Sequence, residues 1–270
     1  METPRPSRWP RPPLPIEHGV WFFVGLPWAM GMVATGAPPL GWLLGLLITA
    51  VIMAREPLFY WAWAARRRLR VSSNAPWGLA YLAAAAACAV PLGAALWDSA
   101  IGWAPPAAAA FLVATGGFEA LVRLRHSRPF LLGDLLGAVA GVALLPLTAA
   151  LRGPVPPRLW ALAADIALIE GTAAVAMRVR LLRVPRRRGP LSGLSLWFLP
   201  LWIVAASILV AVIAQITGLV APAAVAIGLG ATEAARTWWQ GRSTDFRRLG
   251  WTEAAWVTSA ALVIWIAWAF

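Results

Sequence analysis

Residues 194–217 read LSLWFLPLWIVAASILVAVIAQIT and hold no charged side chain. A helix rises about 1.5 Å per residue, so a stretch of this length spans the ~30 Å hydrocarbon layer of a bilayer. Backbone polar groups in that layer have to be paired within the segment, which leaves a transmembrane helix as its natural state. Working outward, similar apolar stretches recur and cut the chain into nine expected spans: 16–36, 40–65, 77–96, 102–122, 130–151, 159–179, 194–217, 220–239 and 251–270. The junction at Gly218 is the weakest of these cuts. Short Pro/Gly turns, as at 36–39, 104–106 and 153–157, join neighbouring members into helical hairpins.

Composition agrees. Hydrophobic residues make up 60% of the 270, with charged residues at 13% and a mean hydropathy of +0.71, far from an ordinary soluble domain. The expected fold is all-α, a polytopic transmembrane helix bundle forming one domain over 16–270. Residues 1–15, where Arg5, Arg8 and Arg11 lie among prolines, form an unstructured cytoplasmic tail. Glu17 and His18 interrupt its junction with the apolar run, and no small-x-small cleavage site follows, so this start reads as a tail rather than a signal peptide.

The formal charge is +12, and every basic residue among the 23 is arginine. These arginines cluster in alternate loops rather than along one polar face, so nucleic acid is not an expected partner. Placing the N-terminus in the cytoplasm puts all of them inside except Arg152 and Arg158. The expected location is the bacterial cytoplasmic (inner) membrane, with the C-terminus outside. Trp77, Trp97, Trp160, Trp197, Trp239 and Trp251 fall near proposed interfaces, where the indole ring prefers the headgroup level. Gly133, Gly137 and Gly141 recur every fourth residue on the fifth span and read as a face for close helix approach. The single Cys88 excludes disulfides and cysteine metal sites within one chain.

The acids are less easily explained by topology. Most of them, including Glu17, Glu56, Glu119, Asp134, Glu170, Glu233, Asp245 and Glu253, map to the cytoplasmic half or the membrane centre. Even-numbered spans each end with an acid and an arginine: Arg55 with Glu56, Glu119 with Arg123, Glu170 with Arg178, Glu233 with Arg236. Glu119–Arg123 and Glu233–Arg236 have helical i, i+4 and i, i+3 spacing, so local pairing that eases insertion is one reading and a polar site is the other. Glu170 stands apart, about 16 Å into its span by helical rise, near the midplane. A carboxyl there is a functional candidate by default. The recurrence of Glu56/Glu170 and Glu119/Glu233 at one common separation hints at a duplicated four-helix unit.

Pro57 removes a backbone donor directly after Arg55 and Glu56, so the second span is expected to kink or break there. His18 beside Glu17 is a candidate acid or base at the start of the first span. Metal-ligand spacing, nucleophile triads and phosphate-binding glycine loops are all lacking, so no cofactor is expected.

The segment Pro15-Ile16-Glu17-His18-Gly19-Val20-Trp21, followed by Pro27, resembles the Pro-x-x-His-Gly-x-Trp opening of the YwiC-like bacterial membrane protein family. Arg55-Glu56-Pro57, the stretch 170–180 and Arg248-Leu249-Gly250-Trp251-Thr252-Glu253 are similar to segments of that family as well. The nine-span plan also resembles the UbiA superfamily of intramembrane prenyltransferases, whose Asp-rich motifs hold Mg²⁺ and a prenyl diphosphate. Those motifs are missing here, which leaves Mg²⁺ without its usual carboxylate set.

The leading expectation is therefore a protein that binds or processes an anionic amphiphile, a lipid or prenyl-type ligand, in a cytoplasm-facing cavity. Arg55, Arg123, Arg178 and Arg236 would meet the anion beside Glu119 and Glu233, with His18, Glu56 and Glu170 handling protons. The alternatives are a proton-coupled transporter with Glu170 as its proton site, and a noncatalytic membrane subunit whose arginines dock a protein partner.

Overall fold

The computed structural model describes residues 19–66, 75–98, 113, 116, 141–182, 192–239 and 246–269. Among them are eight helices and no strand: α1 (Gly19–Ala34), α2 (Pro39–Arg66), α3 (Ala75–Asp98), α4 (Leu144–Ala150), α5 (Pro157–Leu182), α6 (Ser192–Thr217), α7 (Val220–Trp239) and α8 (Phe246–Ala269). Seven of the nine stretches expected from the sequence coincide with a described helix to within a few residues. The fourth, 102–122, lies outside the described residues except at 113 and 116, and the fifth is described only from 141. Among the described residues, four helices are long and apolar enough to cross a membrane, over Pro76–Ala95, Pro157–Met177, Trp197–Thr217 and Gly250–Ala269. Shorter apolar helical runs cover Phe23–Ala34 and Pro39–Arg55. Among the described residues the protein is thus all-helical, and its apolar helices are those of a membrane protein.

The chain divides into two compact units. In the first, α2 packs against α3. The break allowed for at Pro57 does not occur, because α2 runs on from Pro39 to Arg66 with Pro57 inside it. Proline removes one hydrogen bond and adds a ring, and the ring is accommodated: Pro57 is buried against Gly78 of α3, where an added Cβ would lie 3.1 Å from the proline Cβ. Close packing on a neighbouring helix is what makes such a proline tolerable in a membrane helix.

The second unit holds α1 and α4–α8, and its centre is α5. In the apolar part of α5, 83% of residues are buried, against 22% in α6 and 28% in α8, so α5 is surrounded by protein while its neighbours present faces outward. Leu162, Ile166 and Ile169 of α5 meet Ala226 of α7 and Val257 and Ile264 of α8 in one apolar core. On α6 the exposed residues Leu201, Val204, Ile208, Val212 and Ile216 recur at helical spacing, an apolar stripe suited to lipid. The helix ends obey local chemistry. Gly218, between α6 and α7, has φ +75°, the left-handed conformation that ends a helix most cheaply at glycine.

The helix α1 nearly touches α4 and the segment leading into it. A Cβ at Gly31 would come within 2.9 Å of Thr148 Cβ and 3.0 Å of the Leu145 carbonyl oxygen. A Cβ at Gly141 would run into the carbonyl oxygen of Phe23. Gly141 therefore does what the glycine repeat suggested, while Gly133 and Gly137 lie outside the described residues. Backbone cannot rotate away as a side chain can, so Gly141→Ala should force α1 outward at a cost of about 1–3 kcal/mol. Gly25→Ala, on α1 with nothing within 4 Å of the new Cβ, should be neutral or slightly stabilising. Thermal unfolding of the two variants in detergent distinguishes them, and equal midpoints would refute the close approach.

Candidate functional site

Among its described side chains, the central helix α5 buries three charged ones: Asp165, Glu170 and Arg180. Burying charge in apolar surroundings is costly unless each group finds partners. The three differ in how far they meet that requirement.

Arg180, in the last turn of α5, meets it almost fully. Its Nη1 donates to Glu253 Oε1 on α8, and its Nη2 donates to Glu233 Oε1 at 2.9 Å and to Thr237 Oγ1 at 3.0 Å on α7. Thr237 passes the bond on, donating to Glu233 Oε1 at 3.2 Å. Arg236 closes the circuit, with Nε donating to Glu233 Oε2 at 2.6 Å and Nη2 to Glu253 Oε1 at 2.9 Å. Each carboxylate thus faces both guanidinium groups, and the four charges cancel. The side chains of Arg180, Glu233 and Glu253 are 3%, 0% and 4% exposed, whereas Arg236 keeps 26%. Both arginines sit in the last turn of their helices, where a cation also complements the helix dipole. Two atoms are left without partners, Arg180 Nε and Glu253 Oε2.

Glu170 is the opposite case. It is fully buried, and neither carboxyl oxygen has a hydrogen-bond partner. Polar groups next to it in sequence are already engaged: Thr172 donates to the Leu168 carbonyl at 2.6 Å and accepts from Trp202 Nε1 at 3.1 Å. The Trp202 ring covers Gly171 so closely that a Cβ there would overlap it. Ten residues separate Glu170 from Arg180, about 15 Å along the helix.

Of the residues expected from the sequence, Glu233 and Arg236 come together as the i, i+3 pair their spacing suggested, and Glu170 is the buried carboxyl it was read to be. Arg180 and Glu253 had not been singled out as site residues. They lie 53 and 73 positions from partners across the cluster, and no local pattern encodes such a contact. Asp165 was also missed, although an acid inside an apolar run was the same signal that identified Glu170. Arg55 lies in α2, partly exposed, in the other unit. Glu56 and Arg178 belong to α2 and α5, but their side chains fall outside the described residues, as do His18, Glu119 and Arg123 altogether. Among the described residues no group of three or more His, Cys, Asp or Glu could hold a metal ion.

The model of the YwiC-like protein family matches residues 14–149, half of the chain. No curated protein and no solved structure matches it. The matched half includes the His18 segment and the Arg55-Glu56-Pro57 stretch, while the ion-pair cluster and Glu170 lie beyond it. On this match, in agreement with the resemblance carried by residues 15–27, the chain belongs to the YwiC-like family.

Proposed function

We propose that this YwiC-like membrane protein is a proton-coupled transporter, with Glu170 as the carboxyl that takes up and releases the proton. The observation that carries this reading is the state of Glu170, buried at the middle of the most enclosed membrane helix with both oxygens unpartnered. A carboxyl in that position serves no packing purpose, and intramembrane carboxyls of this kind mark ion and proton routes. Asp165, five residues earlier on the same helix and also buried, lies about 140° round the helix from Glu170, a second buried carboxyl on another face of α5.

The Arg180–Glu233–Glu253–Arg236 cluster suits a latch at the cytoplasmic end, next to the arginine-rich segments 183–188 and 242–248. It ties α5, α7 and α8 together, and each charge is satisfied by the two opposite charges facing it. A proton arriving on either carboxylate removes a partner from both arginines at once, so protonation and helix separation are physically linked.

The second reading, a UbiA-like bundle holding an anionic amphiphile on its cytoplasmic side, draws support from the partial exposure of Arg236 and the spare Nε of Arg180. Proteoliposomes loaded with a pH-reporting dye separate the two. Under an imposed pH gradient and a potassium–valinomycin potential, uncoupled slippage of protons through Glu170 should acidify wild-type vesicles faster than empty ones, and Glu170→Gln should return the rate to that of empty vesicles. Wild-type vesicles no faster than empty ones, together with co-purifying anionic lipid, would overturn the transport reading in favour of the lipid one.

A further inference from the structure

At the end of the second unit opposite the ion-pair cluster is a recess of about 510 Å³, within the ~300–1,000 Å³ usual for small-ligand sites. Arg158 and Arg180 stand 22 residues apart on α5, about 33 Å by helical rise, so recess and cluster belong to opposite faces of the membrane. The recess is lined by Thr35 and Gly36 at the end of α1, Arg152 after α4, Arg158 at the start of α5 and Trp268 at the end of α8.

We infer that this recess binds a phosphoryl oxyanion between Arg152 and Arg158. These are the two arginines that membrane orientation does not explain, because positive charge in short external loops opposes the insertion preference. Both are exposed, and among the described residues neither forms an ion pair and no carboxylate lines the recess. Their positions are nonetheless fixed. The Arg158 guanidinium lies over the Trp268 ring at 5.5 Å from its centroid, a cation–π contact that leaves its edge donors available. The Arg152 guanidinium rests on the bare backbone of Gly36, where φ is +68° and an added Cβ would lie 3.5 Å from Nη1. The Trp268 indole N–H is buried and has no acceptor. The charged side chains of the recess are thus two forked cations, joined by the hydroxyl of Thr35, which donates to the Gly31 carbonyl at 2.7 Å, beside apolar walls from Ala34, Ala149 and Leu159. A phosphoryl group supplies the missing acceptors, with bidentate geometry suited to arginine. This site does not depend on proton transport.

Two sources offer that chemistry, a lipid headgroup and a soluble phosphate compound, and two measurements tell them apart. Purified protein in phosphate-free detergent is titrated calorimetrically with inorganic phosphate. In parallel, protein from phosphatidylglycerol or phosphatidylcholine nanodiscs is examined by native mass spectrometry for retained lipid. Binding of phosphate identifies a soluble ligand, and selective retention of phosphatidylglycerol identifies a headgroup. In either case the double variant R152Q/R158Q should weaken binding about tenfold or more, and R152K/R158K, which keeps the charge but loses the forked geometry, should fall between it and wild type. Both side chains are exposed, so the variants should unfold at the wild-type temperature, and that midpoint is measured alongside. Absence of both binding signals, or binding unchanged in R152Q/R158Q, overturns the proposal.

Discussion

Arg180→Ala is expected to destabilise the protein by about 3–5 kcal/mol, the effect of removing one partner from a buried ion pair. The reason lies in what remains. Glu233 and Glu253 stay buried with one guanidinium, that of Arg236, between two negative charges, and Thr237 Oγ1 loses its Arg180 donor. At about 2–4 °C per kcal/mol for a chain of this size, the apparent unfolding midpoint in detergent should fall by roughly 6–20 °C. The double variant Arg180→Met with Glu253→Gln leaves Arg236 and Glu233 as a neutral pair and should recover most of the loss. The difference between the double variant and the sum of the singles measures the coupling directly. A midpoint for Arg180→Ala within a degree or two of wild type would mean that the four charges do not form the closed network described here.

That network also shows what a sequence makes legible and what it hides. The Glu233–Arg236 link is readable because helical geometry sets neighbours three residues apart on one face. The links from Arg180 to Glu233 and Glu253 arise only once α5, α7 and α8 are packed, and helix order gives no spacing rule for that. Helix positions were legible for a related reason: bilayer thickness imposes a length, and Gly218 supplies a stop. Which helix is central was not legible. A soluble helix betrays its buried face by an apolar stripe, but in lipid both faces are apolar, so the one hint that α5 is enclosed and α6 lines the outside was charge, with Glu170 inside the first and none in residues 194–217. Pro57 shows the same dependence on a neighbour, since its effect on α2 turns on Gly78 of α3, which the local sequence around 57 does not contain.

Glu170 yields a prediction of opposite sign. Its carboxyl has lost its water and gained no partner, a situation that costs about 1–3 kcal/mol for a buried polar group. Glu170→Met, of similar length and without polar atoms, should therefore stabilise the protein by about that amount, raising the unfolding midpoint by several degrees. Glu170→Gln replaces one unpartnered polar group by another and should leave the midpoint close to wild type. Neither variant can carry a proton. The combination separates two kinds of buried charge in one helix: removing Arg180 costs stability because its neighbours rely on it, whereas removing Glu170 relieves the fold of a group nothing else uses. If Glu170→Met instead lowers the midpoint, the carboxyl is engaged in holding the bundle together and loses its standing as the proton site. A stabilised variant that no longer acidifies vesicles is the result that ties the cost of Glu170 to function, because a residue that weakens the structure where it stands has a purpose other than structure.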